Sequence, residues 1–301
     1  MEKRPLIVQP WLRIILVLLS LLAVFTLLIY ATAVLQDFVK GEQTNDGGLS
    51  AVWQGLEKSG YILPLLTSAI ASFLTVSVFR KWVDRRPIHT LGFRFSHHGA
   101  SAATGFFLGL LLLGTGTFIL VASRNLQWED IRFDGSQLFI DAVLLLLVAF
   151  GEELVFRGYI LNNLLKFTNK WIALAISSVL FAVFHINNPG IGGLPLLNLL
   201  LAGLLLGLNY IYTKNLWFGI LLHFSWNFYM GCILGYKVSG LQFQSLFQQT
   251  LAGNSLLTGG GFGFEGSAVG SLLYILAILT LWFVYEKKSK QMLQKVSRPE
   301  L

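Results

Sequence analysis

The feature that most constrains this chain is a series of apolar runs, each about as long as a bilayer is thick. The first extends from Ile14 to about Leu35 without a charge, and a transmembrane helix needs roughly 20 predominantly apolar residues. Seven more follow at approximately 60–79, 100–122, 137–165, 171–187, 194–213, 216–235 and 269–285. Charge is correspondingly scarce, at 12% of residues beside 54% hydrophobic, where a soluble domain carries about 25% charged residues. The expected fold class is all-α: a polytopic transmembrane helix bundle of about eight spans. Backbone in lipid must satisfy its own hydrogen bonds, and runs of this length do so as helices.

Orientation follows from the cations. With the N-terminus inside, 16 of the 22 Lys and Arg fall on the inner side and five on the outer side (Lys40, Lys58, Arg124, Arg132 and Lys237), leaving Arg157 within a span. That asymmetry predicts both termini in the cytoplasm and a multi-pass protein of the cell membrane. It also accounts for the net charge of +7 without a nucleic-acid partner, and none is expected. Ala31 and Ala33 imitate a signal-peptidase site, but an h-region has about 7 to 15 residues, so the first run is read as a retained span. Cys232 is the single cysteine, which excludes an intramolecular disulfide and every multi-cysteine metal site. The stretch Arg80–His98, with His89, His97 and His98, reads as a cytoplasmic linker against anionic headgroups. Thr258–Gly270 is Gly-rich but lacks a P-loop lysine, and reads as a loop entering the last span. Small-xxx-small pairs at Gly105/Gly109, Gly203/Gly207, Gly231/Gly235 and Gly266/Gly270 predict close helix packing.

Against this background, ionisable groups inside spans are informative, because each costs roughly 2.5–3.5 kcal/mol at a helix centre. Three spans break the rule. Glu152, Glu153 and Arg157 follow a purely apolar run; Phe181 and His185 close the fifth span; His223 and Asn227 lie in the seventh. Residues four apart share a helix face, so Phe181 projects with His185 and His223 with Asn227, and Glu153 can pair with Arg157. Adjacent Glu152 and Glu153 are about 100° apart, which leaves Glu152 free to face a cavity. Each group alone could be interhelical glue, worth about 0.6 kcal/mol on average. Together, on three helices, they predict a polar site.

A carboxylate with an imidazole can deprotonate water, and a second imidazole with an amide can stabilise an oxyanion. The set suits amide hydrolysis by activated water. Ser225 lacks a nucleophile-elbow context, and the spans hold neither a zincin motif nor an aspartate pair.

In order along the chain, EELVFR (Glu152 to Arg157), FAVFH (Phe181 to His185) and HFSWN (His223 to Asn227) resemble the three motifs of the CPBP intramembrane proteases, which include the type II CAAX prenyl endopeptidases and bacteriocin-processing or Abi-like immunity proteins. The resemblance spans about 138–231, between an N-terminal membrane region, 1–137, and a segment, 232–301, with a Gly-rich loop, last span and basic tail. It implies Glu152 as the base with His185 assisting, His223 and Asn227 as oxyanion donors, and Glu153, Arg157 and Phe181 in support. A mechanism without metal or other cofactor is expected. Zinc held by Glu152, His185 and His223 is the alternative, and a non-catalytic binding or immunity protein using the same cavity is another. A proton-coupled transporter ranks last, because no internal repeat of spans is visible. The partners implied are membrane lipid and a peptide or protein substrate, prenylated or membrane-associated.

Upright straight helices would not bring these residues together. His185 lies about 21 Å and His223 about 10 Å from the inner ends of their spans, so tilt, a re-entrant course or a break is expected, with Asn187, Asn188 and Pro189 marking an irregular end.

Overall fold

Helix dominates wherever the apolar runs fall. The computed structural model describes residues 4–40, 60–96 and 98–296; His97 and, of the 22 cations counted above, Lys3, Lys58 and Arg298 lie outside them. Helix α1 is Pro10–Lys40. Helix α2, Ile62–Val78, ends in a π-helical turn, Phe79–Val83, and α3 is Gly99–Ala122. Helix α4, Gly135–Glu153, continues directly into a π-helical stretch, Leu154–Leu161, and a last turn, Asn162–Leu164. Helix α5 is Lys170–Phe184, α6 is Gly193–Thr213, and α7, Trp217–Phe228, also ends in a π turn, Tyr229–Ile233. Helix α8, Ala268–Val296, is the last.

Five of these helices are long and apolar enough to cross a membrane: Pro10–Val34, Ile62–Val83, Gly99–Ala122, Gly193–Thr213 and Ala268–Gln291. The other three expected segments are helical but differ from simple spans. Helix α4 carries Asp141, Glu152 and Glu153, α5 has only 15 residues, and the α-helical part of α7 has only 12. A 15-residue helix is about 22 Å long against a hydrocarbon core of about 30 Å.

The all-α expectation needs one correction. Two short strands, β1 (Leu126–Ile131) and β2 (Phe247–Leu251), pair antiparallel, Leu126 opposite Leu251 and Ile131 opposite Phe247, with a register shift between Trp128 and Asp130. They join the α3–α4 connection to the segment after α7.

Helix packing centres the bundle on α4 and α7. Helix α3 lies along α7, α5 along α6, α6 along α8, and α2 between α1 and α4. Glycines permit the closest approaches. A Cβ on Gly105 would stand 2.3 Å from the Phe218 carbonyl oxygen, one on Gly109 2.2 Å from Ser225 Oγ, and one on Gly203 2.9 Å from Ser178 Cα.

The Arg80–His98 stretch is not simply a surface linker. Arg80 and Asp84 are buried, and Asp84 accepts from Arg13 Nη1 and Arg80 Nη1, both at 2.8 Å. Arg13 of α1 is thereby anchored to the end of α2, and Tyr159 of α4 donates to the same carboxylate at 3.4 Å. An aspartate shared by two buried arginines is far less costly in low dielectric than any of the three alone.

Candidate active site

Local signals set each functional helix. Asp134 caps α4, accepting from Ser136 N and Gln137 N, and Asn169 caps α5, accepting from Trp171 N and Ile172 N. Helix α5 stops at Phe184; His185 leaves helical geometry, and Gly190 adopts φ +75° four residues after Ile186, just beyond Pro189. A side chain at that φ would be strained. The α-to-π transition of α4 falls immediately after Glu153, and π turns change the face that following side chains present.

Glu152, His185 and His223 converge. Glu152 Oε2 lies 3.8 Å from His185 Nε2 and 3.9 Å from His223 Nε2, and the Glu152 side chain remains 22% exposed. That oxygen is buried with no hydrogen-bond partner among the described residues. The far nitrogens of both rings are engaged. His185 Nδ1 is 2.8 Å from the Phe181 carbonyl oxygen, which can only accept, so Nδ1 carries the proton. His223 Nδ1 is 3.3 Å from Glu153 Oε1 and is protonated for the same reason. Both imidazoles therefore turn Nε2 toward the unpartnered oxygen of Glu152.

A second group of residues supports the first. Glu153 and Arg157, both buried, pair at 2.7 Å, and Arg157 Nη2 donates to the Gly203 carbonyl oxygen at 3.0 Å. The Phe181 ring lies 4.6 Å from the Arg157 guanidinium, 4.7 Å from the His185 ring and 6.2 Å from that of His223. Gly219 makes room for Glu153: a Cβ there would stand 2.7 Å from Glu153 Oε2. Asn227 is buried one turn beyond His223 and makes no side-chain hydrogen bond among the described residues.

No three His, Cys, Asp or Glu side chains among the described residues form a group that could hold a metal ion. Glu152, His185 and His223 nevertheless offer donor atoms of the kind zinc takes, with Glu152 Oε2 3.8 Å and 3.9 Å from the two Nε2 atoms.

A cavity of about 30 Å³, room for one or two water molecules, lies beside the imidazoles, with His185, His223, Phe181, Trp226, Ser239 and Glu265 in its walls. Glu265 went unnoticed in the sequence: it is the single charge in the run Thr258–Gly270, but that run reads as a loop, where the rule that picked out Glu152 does not apply. It is buried, and accepts from Trp226 Nε1 at 3.1 Å and from Ser239 N and Oγ at 2.9 Å each. Burial pushes its carboxyl above the usual carboxylate range, and the Ser239 donors oppose that shift.

Comparison with known families matches residues 134–229, about a third of the chain, to the type II CAAX prenyl endopeptidase, Rce1-like family. Comparison with curated proteins and with solved structures returns no match. The matched segment opens at the cap of α4, ends just past α7 and contains all three polar motifs. Residues 134–229 of this multi-pass membrane protein are thus similar to the Rce1-like type II CAAX prenyl endopeptidases, a family of membrane proteases, consistent with the CPBP family.

Proposed function

We propose that this protein is an intramembrane endopeptidase of the cell membrane that hydrolyses a peptide bond with water activated by Glu152 and His185. The observation that carries this reading is the unpartnered Glu152 Oε2 faced by Nε2 of two imidazoles at 3.8 and 3.9 Å. Groups held just beyond hydrogen-bond distance can share a small polar molecule between them. With Nδ1 protonated, neutral His185 offers a lone pair at Nε2, which accepts a hydrogen bond from the attacking water and orients it. Glu152 takes a proton from that water as the water oxygen adds to the carbonyl carbon.

The resulting tetrahedral oxyanion needs donors. His223 in its doubly protonated form donates from Nδ1 to Glu153 and from Nε2 to the oxyanion, and the Asn227 amide donates beside it. Collapse of the intermediate breaks the C–N bond, and the proton held by Glu152 passes to the leaving amine. Glu153, fixed by Arg157, keeps the imidazole of His223 oriented, while the Phe181 ring packs near Arg157 and both histidines. The catalytic core is 138–231, within a bundle of about eight spans with both termini cytoplasmic.

The substrate class is a membrane-associated peptide or protein, with a prenylated C-terminus as the first to test. Glu152→Gln removes the base while preserving shape. Purified protein in liposomes is expected to cleave a farnesylated fluorogenic CAAX peptide, and Glu152→Gln to lose about 10²–10⁴-fold in rate with an unchanged unfolding midpoint. Membrane proteomics of cells carrying either form extends the search to other substrates. Full activity in folded Glu152→Gln would overturn the reading, and a phenotype surviving both Glu152→Gln and His223→Ala would favour a non-catalytic binding or immunity protein. Stoichiometric zinc lost together with activity in chelator would replace the metal-free mechanism by a zinc-dependent one.

A further inference from the structure

We propose that Glu265 is a positioning residue of this site, tying the segment that follows His185 and the helical turn that carries Asn227 to the Gly-rich loop before α8. The inference rests on the proteolytic reading above and adds a third carboxylate, 38 residues beyond Asn227 and outside the matched segment.

The ties run through side chains of adjoining segments. Glu265 Oε1 accepts from the indole of Trp226, the immediate neighbour of Asn227, at 3.1 Å. Glu265 Oε2 takes both the backbone N–H and the hydroxyl of Ser239. The Ser239 carbonyl oxygen in turn accepts from Asn188 Nδ2 at 3.1 Å, three residues after His185. The loop bearing Glu265 is itself held, because Asn198 Nδ2 of α6 donates to the carbonyl oxygens of Glu265 at 2.7 Å and Ser267 at 2.8 Å. The backbones interlock at glycines. Gly240 N donates to the Phe262 carbonyl oxygen at 3.0 Å, and a Cβ on Gly240 would stand 2.0 Å from that of Pro189.

A purely structural latch does not require an acid, and burying one is costly. Three donors converge on this carboxylate, which a glutamine can meet with only one acceptor oxygen. The same carboxylate borders the cavity shared with His185 and His223. Loss of the acid would therefore loosen the placement of His185 and Asn227 without removing either, and a displacement of about 1 Å can cost about 10²-fold in rate.

The test compares wild type, Glu265→Gln, Glu265→Asp and Glu152→Gln as full chains in liposomes. It uses the farnesylated peptide, or a substrate identified by proteomics, and adds hydrogen exchange of segments 186–191 and 237–241. Expected are a kcat about 10- to 100-fold lower in Glu265→Gln, KM within about twofold, a smaller loss in Glu265→Asp, and faster exchange in both segments. Wild-type kcat in folded Glu265→Gln overturns the proposal, as does a loss of kcat that only parallels a collapse of the unfolding midpoint. If Glu265→Gln does not fold, Glu265→Asp decides: lowered kcat at constant KM supports the proposal and wild-type kcat overturns it. If Glu152→Gln is as active as wild type, or nothing is cleaved, the proteolytic reading has failed and exchange judges the clamp alone; unchanged exchange in Glu265→Gln overturns it.

Discussion

Arg157 illustrates how much a single buried charge depends on its partner. Its guanidinium bonds Glu153, donates to the Gly203 carbonyl oxygen and lies over Phe181. Replacing Arg157 by Met leaves Glu153 as an uncompensated buried carboxylate, an expected loss of about 3–5 kcal/mol, to be read from the unfolding midpoint in detergent. The double variant Glu153→Gln/Arg157→Met removes both charges and is expected to recover part of that loss. Equal midpoints for the single variant and wild type would show that the pair contributes nothing to the fold. This pair was legible in the sequence because four-residue spacing on a helix brings side chains together. The contact of Glu153 with His223, 70 residues away, was not, because adjacent carboxylates reveal only that they point apart. Asp141 was missed for a related reason: it is fully buried and bonds Tyr61 and Gln137, but it stands near the start of a run whose end holds a more conspicuous pair.

At the scale of elements, the glycine pairs give the clearest case of sequence dictating packing, and they are not equivalent. A Cβ at Gly109 meets a side-chain atom, Ser225 Oγ at 2.2 Å, whereas one at Gly105 meets backbone, the Phe218 carbonyl oxygen at 2.3 Å. Gly109→Ala is expected to destabilise the α3–α7 contact by about 1–3 kcal/mol, and adding Ser225→Ala to relieve most of it. Gly105→Ala has no side chain to trim and is expected to resist rescue by Phe218→Ala. Unfolding midpoints of the four variants check this; equal rescue at both positions would refute the distinction. The periodicity that located helices could not locate β1 and β2. Their partners are more than 100 residues apart, and strands of six and five residues carry too few alternations to be distinguished from loop. The π stretch of α4 escaped as well, since π and α segments share one apolar composition. Only the excessive length of that run signalled an irregularity.

Orientation belongs to the whole molecule, because no single helix determines it. Two of the cations that argue for an inner face, Arg13 and Arg80, are buried against Asp84, so they hold α1 to α2 as well as marking an end of each. The orientation signal therefore falls more heavily on exposed cations such as Lys81 and Lys288, which interact with headgroups and resist translocation. Native chemistry makes the orientation easy to probe: the single cysteine, Cys232, is buried and its thiol free, so it adds little background to thiol labelling. Ala252, exposed just after β2, and Lys290, exposed near the end of α8, fall on opposite sides if both termini are cytoplasmic. In sealed right-side-out vesicles, a membrane-impermeant maleimide is expected to label Ala252→Cys directly and Lys290→Cys only after permeabilisation. The reverse pattern would invert the protein in the membrane, and labelling of both positions from outside would mean that α8 does not cross it.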